Sequence, residues 1–120
     1  MSSMSGGLTD KAFCDISFDR GALGGILNVV RKIVGEEEAP DLSLRQMGVL
    51  LLTAIGINKA TVKSLSDELN ISRPAVSRAL NRLEAEGFVR RMPHPTDGRV
   101  VLLNVLPSAY RYLATASGRQ

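Results

Sequence analysis

Tryptophan is missing from this 120-residue sequence, and cysteine and histidine occur once each, as Cys14 and His94. A lone cysteine excludes an intrachain disulfide and suits a reducing compartment. It has no flanking base or cation cluster to favour its thiolate, so Cys14 reads as a plain cysteine in preference to a redox sensor. One histidine far from one cysteine gives too few ligands for a metal centre, and no cofactor is expected. Ser/His/Asp catalysis lacks a motif, because Ser72 and Ser77 fall on helix positions and His94 on a turn; the sequence reads as a non-enzyme. No apolar run exceeds the four residues of Val49–Leu52, which is far too short to cross a bilayer. The opening MSSMSGGLTDKAF has no apolar stretch of signal-peptide length, so a cytoplasmic protein with no membrane role is expected. Aromatic residues make up only 4% of a chain that is 44% hydrophobic. Leu, Val, Ile and Ala must therefore build the core.

Charge is small in total, +3, but unevenly spread. Residues 1–58 carry five Lys/Arg and seven Asp/Glu, and residues 59–99 carry eight and five. Arg111 and Arg119 follow with no acid after them. The length fits one domain. Residues 1–15 are expected to form a flexible N-terminal segment and residues 16–120 a single folded unit.

Within it, Leu23, Ile26, Leu27, Val30, Ile33 and Val34 recur at helical spacing from Arg20 to about Gly35. The acids Glu36–Glu38 then begin a solvated loop. Ser43 with Gln46 forms a capping box for a second helix. Leu44, Met47, Leu51, Ala54 and Ile55 line one face of it, and Gly56 is placed to end it. Thr61 caps a third helix, with Val62, Leu65 and Leu69 inward and Asn70 as its stop. Ser72 caps a fourth, with Pro74 in its first turn, where a missing N–H costs nothing. Val76, Ala79, Leu80 and Leu83 face inward, and Gly87 is the expected left-handed residue behind the helix. Phe88–Met92 and Val100–Val105 read as strands joined by a turn over Pro93–Gly98. A short last helix starts at Pro107–Ser108 and uses Ala109, Tyr110, Leu113 and Ala114. The fold class is therefore mainly α (α+β), with helices, a two-stranded hairpin and a short C-terminal helix.

Two short helices joined by LNIS and followed by a hairpin describe a winged helix-turn-helix. A major groove admits one α-helix. With Val76, Leu80 and Leu83 inward, the fourth helix turns Pro74, Ser77, Arg78, Asn81 and Arg82 outward, with Arg73 at the edge. Arg can grip guanine, Asn can pair with adenine, and Ser can bond a phosphate or a base. Ser72 and the free N–H groups behind it can hold a phosphate. In the hairpin, Pro95, Asp97 and Gly98 shape the turn. Asp97 can brace Arg99, and an Arg on a narrow wing can enter the minor groove. Arg90 and Arg91 lie on the rising strand, at least one of them toward the DNA backbone, and His94 is a wing residue near phosphate. The competing reading is a solvated helix face and an ordinary exposed hairpin with an Asp–Arg pair.

TVKSLSDELNISRPAVSRALNRLEAEGFVRR, then DGRVVLLNVLPSA, resembles the DNA-binding core of the MarR-type winged-helix regulators. SLRQMGVLLLTAI is similar to the helix that precedes that core, and the wing pattern at Asp97 and Arg99 matches the acid and arginine the family places there. The resemblance spans roughly Leu42–Ala109. It implies a homodimer on a pseudo-palindromic duplex, acting as a repressor, often released by a small-molecule effector or by oxidation. The helix over residues 73–86 would read the major groove, and the wing over 90–99 the minor groove or backbone. The family dimerises through N- and C-terminal helices together. Here the C-terminal helix is short, so the first helix either carries a dimer or packs into its own domain. A second function class stays open: a winged-helix module that docks another regulator or polymerase.

Overall fold

The structure, a computed structural model, describes residues 16–56, 60–98 and 100–118. Cys14 and Arg99 lie outside these residues, as does the segment 1–15. Five helices and one hairpin are found among the described residues: α1 (Arg20–Val34), α2 (Leu44–Gly56), α3 (Val62–Leu69), α4 (Arg73–Ala85), β1 (Val89–Pro93), β2 (Val101–Val105) and α5 (Pro107–Ser117).

The ends of the elements follow from local hydrogen bonding. The Asp19 carboxylate accepts from the Ala22 N–H at 3.0 Å and starts α1. Ser43 and Gln46 exchange side-chain and backbone bonds at 3.1 and 2.9 Å in front of α2. Thr61 and Ser64 do the same before α3. Two orphan donors are satisfied at each such box.

The core lies where α2, α3 and α4 meet the hairpin and α5. Val49, Leu50, Leu65, Val76, Leu80, Leu83, Phe88, Val89, Leu103 and Ala109 are all buried there. The structure chooses between the apolar sides of α2 and corrects the expected face of the last helix. In α2 the buried residues are Val49, Leu50 and Thr53, while Leu44 is 91% and Ile55 73% exposed. Packing against α4 selects the Val49–Leu50–Thr53 face, and the Thr53 hydroxyl donates to the Val49 carbonyl at 2.7 Å, which makes its burial tolerable. The stripe of Leu44, Met47, Leu51, Ala54 and Ile55 turns toward the α1 side. In α5 the buried residues are Ala109, Tyr112 and Ala116, and Tyr110 is 54% exposed. Tyr112 wins the inward position because its ring packs on Phe88 at 4.9 Å between centroids and its hydroxyl reaches the Pro40 carbonyl at 3.4 Å. Burial, with the charges of Asp41 and Glu86 behind it, pushes the Tyr112 phenol up from its ordinary value, so it stays a donor.

The hairpin begins one residue later than the sequence pattern suggests. Gly87 sits at φ 76°. Its N–H goes to the Glu84 carbonyl, and the Phe88 N–H goes back to the Leu83 carbonyl at 2.9 Å. Phe88 is thus consumed in closing the helix, in the Schellman arrangement. The antiparallel ladder pairs Val89 with Val105, Arg91 with Leu103 and Pro93 with Val101.

Among the described residues, α1 contributes nothing to the buried set. Its stripe lies in the open: Leu23, Ile26, Leu27, Val30 and Val34 are all exposed. Only its edge, at Ile33, packs against the core. No helix of the described residues is long and apolar enough to cross a membrane.

Candidate nucleic-acid interface

The connection between α3 and α4 is short because each of its residues has a backbone task. Asn70 ends α3 in the left-handed region at φ 55°, a conformation Asn tolerates better than most residues. The Ser66 hydroxyl donates to the Ile71 carbonyl at 2.5 Å and pins the turn. The Ser72 side chain then accepts from the Ala75 N–H at 3.2 Å and opens α4, with Pro74 in its first turn.

Five residues of α4 are buried: Ala75, Val76, Ala79, Leu80 and Leu83. At this spacing they fix the rotation of the helix. Ser72, Arg73, Pro74, Arg78 and Asn81 consequently face solvent, with Ser77 and Arg82 half-buried beside them. The Arg82 guanidinium reaches Glu86 at 2.9 Å and the Asp41 carbonyl at 3.5 Å, so it is turned back along its own helix and onto the loop before α2.

The two strand arginines part company. Arg90 is exposed, whereas Arg91 is half-buried. Side chains alternate along a strand, and Val89 points inward, so Arg91 shares its face and meets α4. Its Nε and Nη2 donate to Glu84 Oε1 at 3.0 and 2.7 Å, and its backbone N–H donates to Glu84 Oε2 at 3.1 Å. Nη2 also donates to Asn81 Oδ1. The Arg91 side chain and backbone donors hold the Glu84 carboxyl below its ordinary value. Glu84 was not singled out from sequence. It lies seven residues before Arg91, across the helix end, and only the reversal at Gly87 brings the two together.

At the wing tip, His94 Nδ1 accepts from the N–H groups of Thr96 and Asp97, each at 3.1 Å. A ring nitrogen that accepts carries no proton, so the neutral ring making these bonds has its hydrogen on Nε2. Asp97 is half-buried in the same turn. The expected brace to Arg99 lies outside the described residues.

A second missed residue is Arg45, in the first turn of α2. It and Arg78 flank a cleft of about 260 Å³ lined also by Ser43, Gln46 and Ala75. The sequence carried a signal for it: a cation in a first helical turn opposes the helix dipole and so points to some other use. The arrangement as a whole is a capped helix with polar and cationic side chains on its outer face, a hairpin clamped to its far end, and a basic cleft at its near end.

That is the architecture of a winged helix-turn-helix regulator. A profile of the MarR family matches residues 41–100, and the chain belongs to the MarR family. HTH-type transcriptional regulators of Mycobacterium leprae and Mycobacterium tuberculosis are each 29% identical over 91 residues, which is 76% of this chain and 63% of theirs. The chain thus spans less than two thirds of the length of these relatives. Among solved structures, the transcriptional regulator Tm0710 from Thermotoga maritima superimposes with a TM-score of 0.68 at 19% identity, covering 95% of this chain and 73% of that one. A variant of S. aureus MepR bound to an oligodeoxyribonucleotide gives 0.65 at 18% identity, over 85% of this chain and 76% of that one. At such identities these likenesses speak for the shared fold.

Proposed function

We propose that this chain is a sequence-specific, double-stranded DNA-binding transcriptional regulator that acts as a repressor. Residues 16–120 work as one winged-helix unit, a binding module and not an enzyme. The helix over 73–86 enters the major groove, and the wing over 90–99 follows the minor groove or the backbone. The observation that carries this reading is the outer face of α4: Arg73, Ser77, Arg78 and Asn81 are aimed outward by five buried residues on the opposite side. Arg73 and Arg78 supply cations for phosphate or guanine, and Ser72 and the helix start supply N–H donors. Arg45, across the cleft from Arg78, adds a backbone contact.

The working form is a homodimer. An exposed apolar stripe on an otherwise amphipathic helix marks an interaction surface, and a two-fold partner offering the same stripe satisfies it. The groove of about 370 Å³ between α1 and α2, lined by Ile26, Val30, Leu44 and Leu51, then becomes a closed apolar space for a small-molecule effector.

Selection of bound duplexes from a random pool tests the reading. An inverted repeat is expected, with affinity that falls steeply as salt rises. Absence of duplex binding at low salt would remove it and favour a protein partner for the same face.

A further inference from the structure

We infer that Asn81 reads a keto base, guanine or thymine, in the major groove, because Arg91 occupies its carbonyl; the inference rests on the DNA-binding reading above. The usual expectation for an outward Asn on a recognition helix is adenine. That pairing needs both ends of the amide, with Oδ1 accepting from the N6 amino group while Nδ2 donates to N7.

Here one of the two lone pairs of the oxygen is already taken by Arg91. A guanidinium has five donors and no acceptor, so the atom of Asn81 that it touches must be the oxygen, whichever way round the amide is drawn. The Arg91 side chain is itself fixed, by two bonds from its guanidinium to Glu84 Oε1, while its backbone N–H holds Oε2. Glu84 positions Arg91, and Arg91 positions Asn81. The guanidinium charge beside Oδ1 disfavours an amino donor approaching the second lone pair. A keto oxygen at the same place, guanine O6 or thymine O4, meets only donors, from the Asn81 –NH₂. Adenine and cytosine both present an amino group there. The face that Asn81 and Arg91 make together is therefore a donor face.

The test is selection of duplexes from a random pool, run in parallel on the wild type, Asn81→Ala, Asn81→Asp and Arg91→Met. Wild type should enrich a keto base roughly tenfold at one position of each half-site. Asn81→Ala should flatten that position alone, which identifies it. Asn81→Asp keeps a partner for Arg91 but offers only acceptors, so the position should turn to adenine or cytosine. Arg91→Met releases Oδ1, and adenine should become acceptable there. Asn81 is exposed, so its two variants are expected to fold; thermal melts of all four proteins check this, and if Arg91→Met fails to fold the Asn81 pair decides alone. The inference is overturned if the Asn81-sensitive position of the wild type holds adenine or cytosine, or if Asn81→Ala flattens no position while a site is still selected. Should wild type enrich no site at all, the DNA-binding reading falls and takes this inference with it.

Discussion

Helices α1 and α4 make an instructive pair. They are of similar length, fifteen and thirteen residues, and each starts on a side-chain cap and carries an apolar stripe at helical spacing. Their fates differ completely. The stripe of α4 is buried under α2, α3 and the hairpin, whereas the stripe of α1 is laid open along the molecule. Periodicity states that a helix has an inside. It does not state whether that inside belongs to the same chain. In α4 the apolar face fixes the rotation of a polar face, and the polar face is the functional one. In α1 the order is reversed, and the apolar face is the one left to act.

Truncating a side chain in each stripe should separate the two most widely. Leu80 is fully buried. Leu80→Ala removes its transfer energy and leaves a cavity, so urea unfolding should show a loss of about 2–5 kcal/mol. Ile26 in α1 is 60% exposed. At protein concentrations low enough to favour monomer, Ile26→Ala should change the unfolding free energy by less than about 0.5 kcal/mol. Its effect should appear instead in sedimentation, as a rise in the dimer dissociation constant. Equal losses in unfolding for both variants would mean that the stripe of α1 is covered within its own chain, and the contrast would collapse.

The next effect belongs to the polar face of α4. Arg78→Ala should weaken binding to the selected duplex by about 1–3 kcal/mol, and to a scrambled duplex by less. Arg99→Ala should weaken both more evenly, as a wing contact to the backbone would. Gel-shift titrations against the two duplexes separate these outcomes; equal losses for Arg78→Ala on both would demote it from reader to phosphate contact.

Helix starts offer a smaller version of the same comparison. Ser72→Ala should cost about 1 kcal/mol in global unfolding, because α4 is part of the core. Asp19→Ala removes an equivalent cap from α1 and should leave the unfolding midpoint almost unchanged. It should instead speed amide exchange confined to the first turn of α1.

These starts and stops are the part of the fold that the residues announce in advance. Caps at Ser43, Thr61 and Ser72, the stop at Asn70 and the left-handed Gly87 are local chemistry, settled within a few residues. The wing, the helix-turn-helix and the outward set on α4 follow from them. The side of α2 that goes inward was a different matter. Val49–Leu50 and Leu44–Leu51–Ile55 are both apolar, and the choice depends on what α4 presents. The pairing of Arg82 with Glu86 is within reach of an i, i+4 reading; its reach to the Asp41 carbonyl is a tertiary event. Arg91 stands between these cases. Strand alternation from the apolar Val89 already puts Arg91 inside and Arg90 outside. Its partner required knowing that the chain reverses at Gly87.

The smallest expected effect tests that clamp between α4 and the wing. Glu84 is held below its ordinary carboxyl value of 4.5, first by the side-chain bond from Arg91 and then by the Arg91 backbone N–H. Folding therefore favours the ionised form. The resulting stabilisation is fully present above the unfolded value near 4.5, and it is lost as pH falls through the lower folded value. Glu84→Gln keeps the shape and can still accept from the Arg91 backbone, but it has no charge to lose. Melting temperatures of wild type and Glu84→Gln, followed from pH 7 to about pH 3, should differ by a constant amount down to roughly pH 5 and then converge. The pair is partly exposed, so the gap should be small and should shrink in high salt. No corresponding pH-dependent gap is expected between wild type and Ile26→Ala in α1, where no ionisable group is exchanged. A constant offset for Glu84→Gln across the whole range would mean that Glu84 contributes by shape and hydrogen bonding, and that its charge does not hold the wing to the helix.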